Sequence, residues 1–544
     1  MGPMDALRGH ASERLGGTIC GEVCASVPSV TTGAKPWRTA LQDFRRSESM
    51  RAAAMGIANT VSVGVQLVFT VVFARVLGDD YGSLGRLVSF FLILAVPGLA
   101  FQAAVAREVA VKGLGTGPEL AAAYRAWLLR LGVMVAVVTV VSILLRDQLG
   151  ELLSVSETWA AALAVGSAAL WGLVCLQRGI LQGLQWYGAL GWSIVVEAFG
   201  RLILSILLVV AGMGVSGAFL GTPLSIIGTL VALHVVMSRR FGPGNGEVGE
   251  KLRALLVRSW VPMVSMGLLA VLQYVDVILA GSEFGEAESS AYAAASVAAK
   301  VTFFTSLGLA LHVLPESARR AAAGERPIGV LWNALGLLSI IAVPTMLLYW
   351  LVPDLLLEIA FGGRFGQAAD ALVILGAAYT LLAVTYLAVQ YLLALHHEWF
   401  VGVLLVAVVG EVFVLVMADG SSLERFSTYV LVVQAAVAAI VMVVAVLATP
   451  RGPSGEPADS LAAHEGDHPR GRPGLTPERR DADPAQADGG DRRQANALAH
   501  HDPVREAWPD RLRGLPGLQG LRDQGVLRQL LPPHVRRHLR PRQG

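Results

Sequence analysis

The chain contains little charge for its length. Only 15% of its 544 residues are charged, and the formal net charge at pH 7 is +2. Charge so sparse and so evenly balanced gives no basis for a nucleic-acid-binding surface. Lysine is the scarcest charged residue, because it occurs only at Lys35, Lys112, Lys251 and Lys300. None of these lysines follows a glycine, which excludes the G-x-x-x-x-G-K-[ST] motif of nucleotide-driven transporters from this chain.

Cysteine is also rare. Cys20, Cys24 and Cys175 are too few for a disulfide framework. The isolated Cys20-x-x-x-Cys24 lacks the second ligand pair that a zinc site needs. Serine and histidine show no spacing typical of a catalytic triad. We therefore predict no metal site, no cofactor and no enzymatic activity.

Hydrophobic residues, by contrast, make up 54% of the chain. Between residues 50 and 449 they form about twelve apolar segments, each close to the ~20 residues that cross a bilayer as a helix. The sequence thus predicts an all-α integral membrane protein with about twelve transmembrane helices. The predicted spans are 53–76, 84–106, 124–145, 158–183, 188–212 and 214–236, then 257–281, 289–314, 328–352, 368–394, 399–417 and 427–448.

The two ends of the chain differ from this apolar body. A disordered N-terminal arm is predicted for residues 1–50. A disordered tail is predicted for residues 450–544, which are rich in Arg, Pro and Gly. The body divides into two predicted six-helix bundles, 51–240 and 251–449.

Basic residues alternate between the two sides of the predicted membrane. One set of loops is rich in arginine and lysine. The opposite set is rich in acids and carries only Arg75, Arg86, Arg146, Arg364 and Arg425. The basic side is predicted to be cytoplasmic, in a bacterial-type cytoplasmic membrane. An even number of spans then places both termini on the cytoplasmic side.

Short sequence matches recur between the two halves. Gln66-Leu-Val-Phe corresponds to Gln273-Tyr-Val-Asp276, and Gly98-Leu-Ala-Phe to Gly308-Leu-Ala-Leu. The offset is always roughly 210 residues, which indicates an internal duplication. Two halves of six spans each have the same topology, so we predict a pseudo-two-fold axis along the membrane normal and a cleft between the halves.

The motif Ala74-Arg75-Val-Leu-Gly78, followed by Tyr81-Gly82, resembles the start of the polysaccharide and oligosaccharide flippases. These belong to the multidrug/oligosaccharidyl-lipid/polysaccharide exporter superfamily. The resemblance covers about residues 50–449. Further matches are Arg178-Gly-Ile-Leu-Gln182-Gly183, Glu197-x-x-x-Arg201, Tyr274-Val-Asp276, Tyr292 to Lys300 and Phe361-Gly-x-x-Phe365. The resemblance implies a flippase that moves a polyprenyl-pyrophosphate-linked sugar to the outer leaflet for cell-surface polysaccharide synthesis.

A lipid-linked sugar needs a hydrated, partly cationic path through the membrane. Charges at membrane depth cost about 2.5–3.5 kcal/mol each, so the few that are present are candidates for function. Predicted ligands of the pyrophosphate and sugar are Arg178, Arg201, Lys300 and Gln273. Predicted ligands of a driving proton or sodium ion are Asp276 and Glu197.

Structural interpretations of the same residues remain open at this point. Glu197 and Arg201 are spaced to form an ion pair on one helix. Lys300 is able to extend towards the membrane surface, and Arg178 to mark the cytoplasmic side. Glu411 is left out of the predicted site as a structural residue.

Two other functions compete with glycan transport. One is an ion-coupled antiporter of organic cations from the same superfamily, and the other is a membrane scaffold that only recruits envelope enzymes. Expected partners of the flippase are its lipid-linked glycan, membrane lipids, and a glycan polymerase or glycosyltransferases.

Overall fold

The apolar segments fold into long helices, as the hydropathy pattern predicts. In a computed structural model of the chain, the described residues are 48–112, 114, 117–241, 249–417 and 422–449, and every regular element among them is helical. The predicted all-α fold class is confirmed. The predicted arm before residue 48 and the predicted tail after residue 449 lie outside the described residues.

The described residues of the first half, from 48 to 241, contain eight α-helices. They are α1 (Glu48–Leu77), α2 (Tyr81–Ala95), α3 (Pro97–Ala110), α4 (Pro118–Leu144), α5 (Arg146–Leu153), α6 (Thr158–Gly183), α7 (Tyr187–Leu208) and α8 (Gly214–Arg240). A short helical turn, Gly78–Asp80, joins α1 to α2, and a wide turn, Val209–Met213, joins α7 to α8.

The second half begins after a connecting helix, α9 (Gly249–Arg258). Its helices are α10 (Trp260–Glu283), α11 (Glu286–Ala299), α12 (Val301–Ala322), α13 (Ile328–Leu351), α14 (Pro353–Phe361), α15 (Ala369–Ala394), α16 (Phe400–Val416) and α17 (Leu423–Leu447).

The second half repeats the helix order of the first. In each half a short helix, α5 or α14, precedes a central helix of 26 residues, α6 or α15. The central helix α6 packs against α3, α4 and α8, and α15 packs correspondingly against α12, α13 and α17. The predicted repeat of roughly 210 residues thus recurs in the helices and their packing, which supports the predicted duplication. The predicted symmetry axis stays a prediction.

The second span of each half is interrupted near its middle. Pro97 lacks a backbone N–H and begins α3 directly after Val96, which accounts for the first break. The second break lies at Lys300 and contains no proline. There the backbone N–H of Lys300 donates to the carbonyl of Val297 at 3.3 Å, so the last turn of α11 is tightened before α12 begins.

Nine helical segments among the described residues are long and apolar enough to cross a membrane. Two of them, Met55–Ala110 and Tyr187–Arg240, contain 56 and 54 residues, more than twice the ~20 that one crossing needs. Each is interrupted by one of the turns described above. A further apolar helix, Phe400–Val416, has 17 residues. The chain is a multi-pass membrane protein, whereas the predicted number of twelve spans stays a prediction.

Small residues bring the two halves together at the end of the bundle that contains the Gly78–Asp80 turn. We name this end, which the charge pattern predicts to be extracytoplasmic, the external end. The backbone N–H of Gly82 on α2 donates to Ser290 Oγ on α11 at 2.6 Å. A Cβ at Gly82 would lie 2.9 Å from the hydroxyls of Ser289 and Ser290, and one at Gly85 would lie 3.0 Å from Ala293 Cβ. Any larger residue would separate these helices.

A second contact closes the same end. Arg75, in the last turn of α1, donates from Nε to the carbonyl of Ala360 at 3.2 Å and from Nη2 to the carbonyl of Ile359. These carbonyls belong to the last turn of α14, where the helix dipole favours a cation. The external end is therefore closed by contacts between the halves.

Two glycines allow α3 and α6 to cross closely in the first half. A Cβ at Gly179 would lie 2.7 Å from the carbonyl oxygen of Gln102, and one at Gly183 would lie 2.6 Å from that of Ala106. The spacing Gly179-x-x-x-Gly183 is the small-residue pattern of tightly packed membrane helices. This crossing fixes the position of the preceding residue, Arg178.

We expect Gly183→Leu to lower the free energy of unfolding by about 1–3 kcal/mol, because the side chain would enter the backbone of α3. Gly172→Leu on the same helix is the matched control, since a Cβ at Gly172 has no neighbour within 4 Å. Unfolding in mixed micelles measures both variants. Equal losses would contradict the close crossing.

Candidate functional site

Arg178 lies on α6 with 4% of its surface exposed. Its Nη2 contacts Glu197 Oε2 on α7 at 2.7 Å, and its Nε donates to Ser193 Oγ at 3.1 Å. The predicted ion pair within α7 is therefore wrong: Glu197 pairs with Arg178 on a neighbouring helix and not with Arg201. The two helices are neighbours in the tertiary packing, which the spacing along one helix does not reveal.

Arg201 is left with neutral partners. It donates from Nη2 to Gln66 Oε1 on α1, and its guanidinium carbon lies 5.4 Å from the ring centroid of Phe69. Its Nε has no hydrogen-bond partner among the described residues. The side chain is half-buried, and its unused N–H donor is buried.

Asp276 lies fully buried on α10 in the second half. Its Oδ2 accepts hydrogen bonds from the hydroxyls of Tyr292 at 2.9 Å and Tyr379 at 2.6 Å. Its Oδ1 has no partner among the described residues. Two phenols stabilise a carboxylate without neutralising it, and the open oxygen is able to receive a proton or a cation.

Lys300 points into the protein at the break between α11 and α12, with 2% of its surface exposed. Its Nζ lies 4.5 Å from the ring centroid of Tyr274 and 4.7 Å from that of Tyr379. The alternative that Lys300 extends to the membrane surface is thus wrong in this structure. Cation–π contacts stabilise the ammonium, and Asp276 attracts it without a salt bridge within 4.0 Å among the described residues.

Gln273 precedes Asp276 by one turn of α10 and is 5% exposed. Its side-chain nitrogen has no hydrogen-bond partner among the described residues. The structure therefore brings Gln273, Asp276 and Lys300 into one region of the second half. Arg178, Glu197 and Arg201 form a separate group in the first half, on α6 and α7.

Glu411 is a buried carboxylate that the predicted site omitted. It lies on α16 with no exposed surface and accepts from Gln434 Nε2 at 3.1 and 3.3 Å. The same nitrogen donates to the carbonyl of Leu272 on α10 at 3.0 Å, which connects Glu411 to the helix of Asp276. The sequence does contain a signal for Glu411, because a carboxylate within an apolar span is a candidate for function.

Arg86 is a buried cation that the charge pattern assigned to an external loop. It lies on α2 with 4% of its surface exposed, beside the contact between the halves. The available signal was its position within an apolar segment, inside the predicted span 84–106.

No cluster of three or more His, Cys, Asp or Glu side chains suited to a metal ion occurs in the part of the chain that the structure describes. An open groove lies in the first half between α4 and α8, and none of the predicted site residues lines it. Its lining residues are Arg125, Leu128, Leu129, Gly132, Val133, Ala136 and His234. The cleft predicted between the halves stays a prediction.

Residues 51–300 match the model of a family described as polysaccharide biosynthesis protein. The family resemblance predicted from the sequence is confirmed. The match includes all of the first half and the second half as far as Lys300. No curated protein sequence matches the chain.

Solved membrane transporters share the fold of this chain. An inward-facing multidrug resistance MATE family transporter of the MOP superfamily is 13% identical with a TM-score of 0.61, covering 71% of this chain and 94% of its own. The lipid II flippase MurJ, in an inward closed conformation, is 11% identical with a TM-score of 0.59, covering 72% and 87%. A MOP superfamily transporter from Pyrococcus furiosus Vc1 is 15% identical with a TM-score of 0.52, covering 73% and 95%. At these identities the likeness shows the fold alone.

A double-mutant cycle tests the Arg178–Glu197 pair. We expect a coupling energy of about 0.5–3 kcal/mol from Arg178→Ala, Glu197→Ala and the double variant, because the paired side chains are only 5% and 12% exposed. The comparison pair is Arg319 with Glu316, whose side chains are 62% and 18% exposed. Its coupling should be much smaller, because water and salt screen it. A coupling for Arg178–Glu197 no larger than that of the comparison pair would contradict the buried ion pair.

Proposed function

We propose that this protein moves a polyprenyl-pyrophosphate-linked oligosaccharide across the cytoplasmic membrane by alternating access, for cell-surface polysaccharide biosynthesis. The observation that carries the proposal is the match of residues 51–300 to the polysaccharide biosynthesis family, in a chain with the fold of a MOP superfamily transporter. The chemistry of the buried cations supports the same substrate class.

The cargo carries a dianionic pyrophosphate, so its path requires cations that are not already neutralised. Arg201 has only neutral partners and an unused N–H, and Lys300 is stabilised by aromatic rings. Both keep most of their attraction for an incoming phosphate. Arg178 already has Glu197 as its partner, and it contributes to binding only if the cargo competes with that carboxylate.

Sugar hydroxyls need hydrogen-bonding groups instead of charge. Gln273 supplies a buried amide whose nitrogen has no partner among the described residues. It precedes Tyr274, whose ring contacts Lys300, so α10 and the break at Lys300 offer an amide and a cation to the cargo.

Asp276 is the proposed site of the driving proton or sodium ion. Its Oδ1 has no hydrogen-bond partner among the described residues, and the two tyrosine hydroxyls on Oδ2 do not remove its negative charge. Glu411 is a second carboxylate in the same half. Glu197 is the weaker candidate for ion binding, because its carboxylate is already paired with Arg178.

Alternating access requires the external end to open. The contacts of Gly82 with Ser290 and of Arg75 with Ala360 join the halves there and must break during each cycle. They consist of one hydrogen bond at Gly82 and two at Arg75, between small or flexible groups, which suits a reversible contact.

Flipping by purified protein in liposomes tests the function. We expect Lys300→Ala and Arg201→Ala each to reduce, by about tenfold or more, the rate at which a defined lipid-linked oligosaccharide reaches the opposite leaflet. Arg319→Ala is the control, because Arg319 lies at an exposed helix end. Normal flipping by both variants at matched protein levels would remove these cations from the mechanism. No flipping by the unaltered protein would favour the scaffold alternative.

Ion dependence is tested in the same liposomes. We expect Asp276→Asn to abolish the acceleration of flipping by an imposed proton or sodium gradient, while binding of the lipid-linked glycan remains. Asn keeps the size of the side chain and removes its charge. A gradient response equal to that of the unaltered protein would exclude Asp276 as the coupling residue.

Export of organic cations is the second candidate, and the buried acidic and aromatic groups favour it. Asp276 and Glu411 are fully buried carboxylates, and Tyr274, Tyr292 and Tyr379 surround Asp276 and Lys300. Lys300 opposes this candidate, because an ammonium between the rings repels a cationic drug. Ion-driven export of a lipophilic cation from the same liposomes, without glycan flipping, would establish the antiporter instead.

A further inference from the structure

Arg86 is buried at the closed external end of the bundle between residues from both halves. Its Nη2 donates to Ser83 Oγ and to the carbonyl of Ser154, each at 2.9 Å, and both groups belong to the first half. Its Nη1 donates to Ser289 Oγ on α11 of the second half at 3.3 Å. Its Nε has no partner among the described residues.

The stem of Arg86 lies against a glycine of the second half. A Cβ at Gly281 on α10 would lie 2.2 Å from Arg86 Cδ and 2.4 Å from Nη1. Only glycine at this position leaves room for the guanidinium. The closed external end therefore contains a slot that this side chain fills.

The partners of Arg86 do not neutralise its charge. No carboxylate among the described residues lies within 4.0 Å of its guanidinium, although Glu286 and Glu157 attract it from farther away. Arg178 is equally buried and has Glu197 at 2.7 Å. A buried cation with neutral hydrogen-bond partners is expensive, and an apolar side chain would fill the slot at lower cost. The charge is therefore better explained by a second conformation.

We propose that Arg86, with Ser83, forms a phosphate-type anion site that becomes accessible when the external end opens. Separation of the halves removes Ser289 and Gly281 from the guanidinium and leaves Ser83 and the carbonyl of Ser154 beside it. The freed Nη1 and its neighbour Nη2 form the end edge of the guanidinium fork, which matches two oxygens of a phosphate when the anion replaces the carbonyl of Ser154 on Nη2. Building on the proposed function, this site receives the pyrophosphate of the cargo on the external side.

The position of Arg86 also gives a reason for release. In the closed state Ser289 of the second half occupies Nη1, so a contact that joins the halves at the external end competes with the anion. Closure thus expels the anion from the site, and binding of the anion favours the open state.

Charge-selective labelling tests the site without the cargo. A cysteine at the buried position Ser290, in a protein with Cys20, Cys24 and Cys175 replaced, reports opening of the external end. We expect an anionic methanethiosulfonate to react about tenfold faster than a cationic one, after correction for their rates with a free thiol. Arg86→Met should bring that ratio to about one, and inorganic pyrophosphate should slow the anionic reaction only when Arg86 is present.

Two further variants separate charge from packing. Arg86→Lys should keep the preference for the anionic reagent and lose most of the protection by pyrophosphate, because an ammonium lacks the fork. Gly281→Ala should increase labelling by both reagents, since its methyl group displaces Arg86 from the slot. Gly336→Ala, where a Cβ has no neighbour within 4 Å, is the control.

Three results would overturn the anion site: an unchanged reagent ratio in Arg86→Met, a preference for the cationic reagent, or no labelling of Ser290→Cys at all. Charge-selective labelling without glycan flipping would reject the proposed function and keep the site. Glycan flipping together with equal labelling by the two reagents would reject the anion site and keep the proposed function.

Discussion

Every charge buried in this protein must be stabilised by the protein itself, because the surrounding lipid offers neither water nor counterions. The described residues meet this requirement in different ways. Arg178 has a carboxylate, Lys300 has two aromatic rings, Asp276 has two phenols and Arg86 has hydroxyls and a carbonyl. Only the first of these solutions neutralises the charge. The kind of partner therefore separates charges that stabilise the fold from charges that remain able to bind an ion or an anion.

This distinction also separates the two halves of the duplication. The helices recur in order, with α6 corresponding to α15 and α3 to α12, so the packing of the backbone is shared. The polar residues differ. The first half contains an ion pair beside the close crossing at Gly179, whereas the second half contains a carboxylate and an ammonium among tyrosines. A duplicated scaffold has thus acquired different electrostatics, which agrees with separate roles for the halves in binding cargo and ion.

Hydropathy alone predicted most of the helices, because bilayer thickness sets their length. The predicted spans 158–183 and 328–352 agree with α6 and α13 to within one residue. The span 84–106 is broken at Pro97, and a proline within an apolar segment is itself a sequence signal of such an interruption. No proline marks the break at Lys300, so the sequence did not predict it.

The partners of the charged residues were less accessible from the sequence. Spacing suggested that Glu197 pairs with Arg201, because the two share one helix face. The carboxylate instead meets Arg178 on the neighbouring helix α6, a contact that only the tertiary packing of α6 and α7 creates. Arg86 was assigned to a loop because its charge was counted and its depth was not. Depth and tertiary contact are properties of the assembled helices, and no local pattern encodes them.

One tyrosine connects Asp276, the proposed ion ligand, to Lys300, a proposed ligand of the pyrophosphate. Tyr379 donates its hydroxyl to Asp276 at 2.6 Å, and Lys300 lies 4.7 Å from the centroid of its ring. A proton or cation on Asp276 weakens the acceptor that orients this phenol, and a reoriented ring no longer stabilises the ammonium in the same position. Occupation of Asp276 therefore alters how strongly Lys300 attracts a phosphate, and by thermodynamic reciprocity a bound phosphate alters the ion affinity of Asp276. Within the proposed function, this shared side chain joins the ion gradient to the cargo without any direct contact between them.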